Sequence, residues 1–287
     1  MPVDHYENFP VASVLVPRRY RGPIAAIYWF ARSADDIADE GDDPPAARLA
    51  ALNAYRRQLD DIERGIERGV ETSAPQWSRL ATTVVDHRLP LPPFRDLLDA
   101  FSQDVVKSRY TDFAELDHYC RRSANPVGRL MLHLFGATSD QNIRDSDDIC
   151  TALQLLNFCQ DVRIDFDNNR IYIPQDEMAS VGVDEQQIAR GIVDARWQRL
   201  FTMQLDRALA LLDRGKPLAL RVPGRFGLEL RAIVAGGERI GERLRATGGD
   251  VFRHRPTLSK VDWFIVAWHT LFPATCASRA TTPAAAP

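Results

Sequence analysis

Two runs of this 287-residue chain carry carboxylates at helical spacing within otherwise apolar sequence. In the first, Tyr28, Arg32, Asp35 and Asp39 follow steps of four, three and four, which places them on one helix face, with Asp36 beside them. Ile24, Ile27, Trp29, Phe30 and Ile37 fill most of the remaining positions. In the second, Gln154, Asn157, Asp161 and Asp165 step by three, four and four among Leu153, Leu155, Leu156, Phe158, Val162 and Ile164. A surface helix normally has a broad polar side. A narrow polar stripe on an apolar helix suits burial against neighbours, with the stripe lining a cavity.

Carboxylates gathered on one cavity repel each other and are costly to desolvate. A hard divalent cation relieves that cost. Mg²⁺ takes one or two protein carboxylates, keeps several waters and shares the oxygens of a substrate's phosphates. Two clusters can hold metals on both sides of a diphosphate and neutralise it as a leaving group. Apolar walls would hold a hydrocarbon and shield a carbocation from stray water. The pattern therefore predicts Mg²⁺-dependent ionisation of a prenyl diphosphate. Against this stands the usual fate of a single Asp-x-x-x-Asp pair, a solvated helix face; it is the apolar setting of both stripes that argues otherwise. Asp60-Asp61 and Asp147-Asp148 are the contrasting case and read as solvated or helix-starting carboxylates.

The elements that must position these stripes are helices. Apolar residues at three- and four-residue spacing predict helices over 20–40, 46–66, 93–108, 112–136, 147–166, 184–213, 225–247 and 256–271. Pro23, Pro45 and Pro93 fall near predicted starts, and Gly136 and Gly215 near predicted ends, where a left-handed glycine is favoured. Pro126 predicts a break near Asn125. No alternating pattern of strands is present, and the Arg170–Pro174 run is too isolated to build a sheet. The expectation is one all-α domain over 1–279 and a disordered tail over 280–287. With 36 basic against 39 acidic residues, a strongly basic nucleic-acid binder is excluded. Cys120, Cys150, Cys159 and Cys276 form no C-x-x-C pair and read as reduced thiols, with Cys159 a small core residue. No secretory signal and no spanning apolar stretch is visible, so the chain is expected in the cytoplasm. His87, His118, His133, His254 and His269 show no metal-ligand spacing.

Taken together, the runs Ile27–Asp39 and Asn157–Pro174 resemble the motifs of the squalene/phytoene synthase family, and the likeness extends from about His5 to Ser259. It implies a single-domain trans-isoprenoid synthase helical bundle around a central cavity. Asp35 and Asp39 match the first aspartate-rich motif, with Asp36 adjoining, and Asp161 and Asp165 match the second. By that resemblance these carboxylates, with Asn157, support Mg²⁺ and the reaction. Tyr28, Arg32, Gln154, Arg170 and Tyr172 fall at positions that meet or organise the substrate's diphosphate. His5, Asn8 and Phe9 match a segment that closes over the substrate, although Tyr6 stands where many members have Ser.

The departures from the family pattern narrow the expectation. The segment Tyr119–Arg129 puts Arg122 where the family carries a tyrosine implicated in cyclopropane formation, and Gln160 precedes Asp161 where Arg is usual. Val3–Ser13 and Ser123–Arg129 resemble the HpnC-type branch of bacterial hopanoid biosynthesis. That likeness implies conversion of presqualene diphosphate and water to hydroxysqualene and diphosphate, without NADPH. It also implies substrate hand-over from a presqualene diphosphate synthase. Two alternatives stand beside it: a complete head-to-head synthase, and a non-catalytic scaffold on the same fold, against which the retained aspartates speak. Asp104 falls near another polar family position with an open role. Arg121 and Arg122 read as solvent-facing, with contact to the diphosphate as the other possibility. The basic group Arg243, Arg245, Arg253, His254, Arg255 and Lys260 reads as a solvated face, with peripheral contact to anionic lipid as the other possibility.

Overall fold

The computed structural model describes residues 16–41, 43–68 and 75–271. His5, Asn8, Phe9, Cys276 and the expected tail lie outside them. Among the described residues thirteen helices follow in order: α1 Arg18–Asp39, α2 Pro45–Arg68, α3 Pro75–His87, α4 Pro92–Asp104, α5 Phe113–Ser123, α6 Asn125–Leu134 and α7 Asp140–Asp167. After these come α8 Gln175–Val181, α9 Glu185–Arg190, α10 Ala195–Gly215, α11 Leu218–Arg221, α12 Gly224–Ala246 and α13 Lys260–Leu271. Among the described residues no strand forms, and the Arg170–Pro174 run contributes one parallel bridge, Arg109 to Ile171. The all-α class expected from the sequence is the one observed.

The helices start and stop for local reasons. Asp112 caps α5 by accepting from the Glu115 amide at 2.9 Å, and Asp194 caps α10 through the amides of Arg196 and Trp197. Pro126 does break the expected 112–136 helix, at Ala124, with Pro126 in the first turn of α6. The expected 184–213 helix is two helices, because Gly191 turns left-handed at φ +59 and Asp194 restarts the chain. Helix α7 begins at Asp140, capped by Ser139 and well before 147, and α4 ends at Asp104, short of 108. Helices α3, α8 and α11 had no counterpart in the pattern. Helix α13 starts at Lys260, after an irregular segment where the pattern had placed helix from 256.

Two apolar cores flank the middle of the molecule. One joins α1, α2, α3, α4 and α6 around Phe30, Leu52, Leu80, Phe94 and Leu130. The other joins α5, α7, α10 and α12 around Leu116, Leu156, Trp197, Leu205 and Ile240. Helix α7 makes its largest contact with α10. That contact explains Gly215, which is helical and not the left-handed terminator expected. A Cβ there would stand 2.4 Å from the Asp145 carbonyl oxygen. Gly136 does adopt the left-handed form, at φ +67. Asp147 and Asp148 are neither helix-starting nor free: they lie inside α7 and pair with Arg129 and Arg214. Asp60 and Asp61 pair with Arg95 and Arg64 at the surface. Cys159 and Cys120 are buried thiols, as a small core residue should be.

Candidate active site

Between the two cores lies a cavity of about 520 Å³. The α1 stripe supplies Tyr28, Arg32 and Asp35 to its wall, and the α7 stripe supplies Gln154 and Asn157. The two stripes thus meet across one space. Most of the remaining wall is apolar: Ile24, Ile27, Leu97, Phe101, Val127, Met131, Phe135, Phe226 and Ile233. Phe135 stacks on Phe226 with centroids 4.0 Å apart and planes 9° from parallel, closing α6 against α12.

Asp39, Asp161, Asp165, Arg170 and Tyr172 do not line that cavity. They gather beside it through Arg170, whose Nη2 donates to Asp39 Oδ1 at 2.6 Å and to the Asp104 carbonyl at 3.5 Å. The carboxylates sense one another here. Burial, reinforced by Asp39, raises the Asp35 carboxyl to about 7. Burial and then Asp161 raise Asp165 well above the ordinary range, with Asp39 adding to it from α1. Arg32 pairs with Asp36 at 2.8 Å, Asp35 at 3.2 Å and Glu40 at 3.0 Å along its own helix. Tyr172 is buried and lies flat on Phe158, centroids 3.8 Å apart, next to Tyr110 and Tyr119.

Four groups escaped the sequence reading. Arg255, in the segment after α12, holds Asp161 with both Nε and Nη2, the latter at 3.0 Å from Oδ2. Gln160, where Arg is usual, donates to the Pro256 carbonyl at 2.6 Å. Arg255 apart, the basic region is largely exposed, as a solvated face should be, and its arginines are paired there. Arg243 binds the buried Asp262, Arg245 binds Asp206 and Arg253 binds Asp250. Tyr119 lines the cavity and donates to Asp104 Oδ2 at 2.8 Å. Asp104 is buried, which raises its carboxyl to about 7. Arg122 is not among the residues lining the cavity and donates to Gln103 Oε1 at 2.6 Å; the tyrosine on the cavity wall is Tyr119, which the change at position 122 leaves in place. Arg121 is exposed and pairs with Asp117. Glu229 and Arg225, on α12, complete the cavity wall. Their signal was present as Arg-x-x-x-Glu spacing, but nothing in the sequence said that this face of α12 turns inward.

The donor set suits a hard cation. Among the described residues no three His, Cys, Asp or Glu side chains converge to cage a metal. Mg²⁺ needs no such cage, since it binds through one or two carboxylates, water and phosphate oxygens. Carboxyls held toward their neutral form by burial and by each other are the groups a cation would favour in ionised form.

With that geometry in view, the chain matches the squalene/phytoene synthase family over residues 3–262 and belongs to it. It is 34% identical to the hydroxysqualene synthase of Rhodopseudomonas palustris over 264 residues, covering 91% of this chain and 87% of that one. It is 32% identical to the phytoene synthase of Mycobacterium tuberculosis over 255 residues, covering 88% and 82%. The crystal structure of squalene synthase HpnC from Alicyclobacillus acidocaldarius superposes with a TM-score of 0.77 at 38% identity, covering 85% and 90%. The fold is that of the trans-isoprenoid synthases, and the chain has the family's enzymatic role in isoprenoid biosynthesis. No helix among the described residues is long and apolar enough to cross a membrane.

Proposed function

We propose that this protein converts presqualene diphosphate and water to hydroxysqualene and diphosphate. The observation that carries the reading is the cavity itself. A wall apolar over most of its area meets a cluster of Arg32, Asp35, Gln154 and Asn157 at one side. That division fits a long hydrocarbon joined to a diphosphate. Similarity to hydroxysqualene synthases supports the particular reaction.

In this reading Asp35, Asp39, Asp161 and Asp165, with Asp36 and Asn157 adjoining, hold Mg²⁺. The metal supplies Lewis-acid neutralisation of the departing diphosphate. Arg32 and Arg170 offer planar donors to phosphate oxygens. Gln154 and Asn157 hydrogen-bond an oxygen of the leaving group and fix its direction of departure. Ile27, Leu97, Phe101, Met131 and Ile233 surround the cation and limit the water that reaches it. No hydride is transferred in this step, so no NADPH is expected. Presqualene diphosphate arrives from a separate condensing enzyme. Contact with a membrane surface, where the apolar product belongs, is supported by the exposed Val261, Phe264, Trp268 and Leu271 of α13.

A second reading is a complete head-to-head synthase. Tyr119 on the cavity wall favours it, as do the phytoene synthase relatives. Product analysis separates the two. Purified protein with Mg²⁺ and no NADPH receives presqualene diphosphate in one tube and farnesyl diphosphate in another. Hydroxysqualene from the first and nothing from the second is the expected result. Presqualene diphosphate in the second tube establishes the alternative. Inactivity of folded protein in both leaves the scaffold reading.

A further inference from the structure

We propose that Glu229 is the base that takes the proton of the water captured by the cation. The inference rests on the water-capturing reaction proposed above. Arg225, Phe226, Glu229 and Ile233 follow steps of one, three and four along α12, and all four line the cavity. Asp35 and Glu229 are the two carboxylates on that wall among the described residues. Asp35 sits with Arg32 on α1, in the cluster assigned to the diphosphate. Glu229 sits on a different helix, one turn from Phe226, whose ring stacks on Phe135, and one turn from Ile233. Glu229 thus shares its stretch of wall with Phe226 and Ile233, and with Arg225 one turn earlier. One of its oxygens, Oε2, is buried within the protein.

A carboxylate in that position does two things. It stabilises positive charge on the hydrocarbon, and it orients a water by accepting its hydrogen bond. When the water oxygen forms its bond to the cationic carbon, an O–H bond breaks and the proton passes to the Glu229 carboxylate. The carboxylic acid then returns the proton to solvent. Charge and atoms balance without an oxidant or reductant. Without the base, loss of a proton from the carbon skeleton competes and yields hydrocarbons in place of the alcohol.

The test compares the wild-type protein with Glu229→Gln and Glu229→Asp, each given presqualene diphosphate and Mg²⁺. Diphosphate release and the partition between alcohol and hydrocarbon products are both measured. Partition is scored per diphosphate released, so a change in the amount of folded protein does not move it. The alcohol share should fall by about tenfold in Glu229→Gln, with hydrocarbons rising, and Glu229→Asp should recover part of it. An unchanged alcohol share in Glu229→Gln, with diphosphate still released, overturns the assignment and leaves the parent reaction standing. So does an equal loss in Glu229→Asp. A wild-type protein that releases no diphosphate overturns the reaction, and this inference with it.

Discussion

Arg170 Nη2 stands 2.6 Å from Asp39 Oδ1 across 131 residues of sequence. The contact ties the end of the first aspartate stripe to the segment that follows the second. It brings one guanidinium within electrostatic reach of Asp35, Asp104 and Asp165. Removing that charge should therefore disturb the whole cluster. Arg170→Gln is expected to lower kcat/KM by about a hundredfold on the prenyl diphosphate substrate while leaving far-UV circular dichroism unchanged. Wild-type turnover in the variant would refute a role for this contact in the site.

Binding of metal and diphosphate can be read without turnover. A ligand that binds only the folded state raises its melting temperature. Mg²⁺ with inorganic diphosphate should raise that of the wild-type protein, and neither should do so alone to the same extent. Asp161→Asn should abolish most of the shift and turnover as well, because one carboxylate of the second motif loses its charge. An equal shift in the variant argues against this metal assignment.

The buried Asp104 carboxyl gives a pH dependence with a definite sign. Burial raises it to about 7, so the folded state binds this proton more tightly than the unfolded chain, where a carboxyl titrates near about 4. Its contribution to stability is complete below the unfolded value and is lost as pH climbs through 7. Asp104→Asn should flatten the slope of melting temperature between about pH 4 and 7. Above pH 7 it should exceed the wild type by on the order of 1–3 kcal/mol, since Asn still accepts from Tyr119. Parallel profiles for the two proteins would contradict the assignment. Asp35 and Asp165, raised in the same direction, keep part of the slope in both.

The close approach of α10 to α7 makes Gly215 sensitive to a single methyl group. Its Cβ would meet the Asp145 carbonyl oxygen at 2.4 Å and the Ile149 side chain at 2.7 Å. Gly215→Ala should destabilise by about 1–3 kcal/mol through forced separation of the helices, despite alanine's better helix propensity. Denaturant midpoints of the two proteins would show it, and a stabilised variant would mean that the helices yield freely.

The sequence by itself determined the helical class, the break at Pro126 and the two aspartate stripes. Each is a local property: a period of 3.6 residues, a missing amide hydrogen, and carboxylates kept on apolar helices. Sequence reading also placed Tyr28, Arg32 and Asp35 on one face, and Gln154 and Asn157 on another. It could not set those faces opposite each other across a common space, nor bring Arg170 to Asp39, because such pairs depend on how distant helices pack. The start of α7 was hidden for a related reason. Asn142, Asp145 and Ser146 look solvated in sequence, yet they are buried, and Asp145 is satisfied by Arg221 at 2.6 Å. Arg255 read as part of a basic surface until folding set it on Asp161. Tyr119 carried no periodic signal, and the Arg225–Glu229 spacing did not say that its face of α12 turns inward. Only the tertiary structure decided which polar side chains face the cavity, since burial and partnership are set by neighbours far away in the chain.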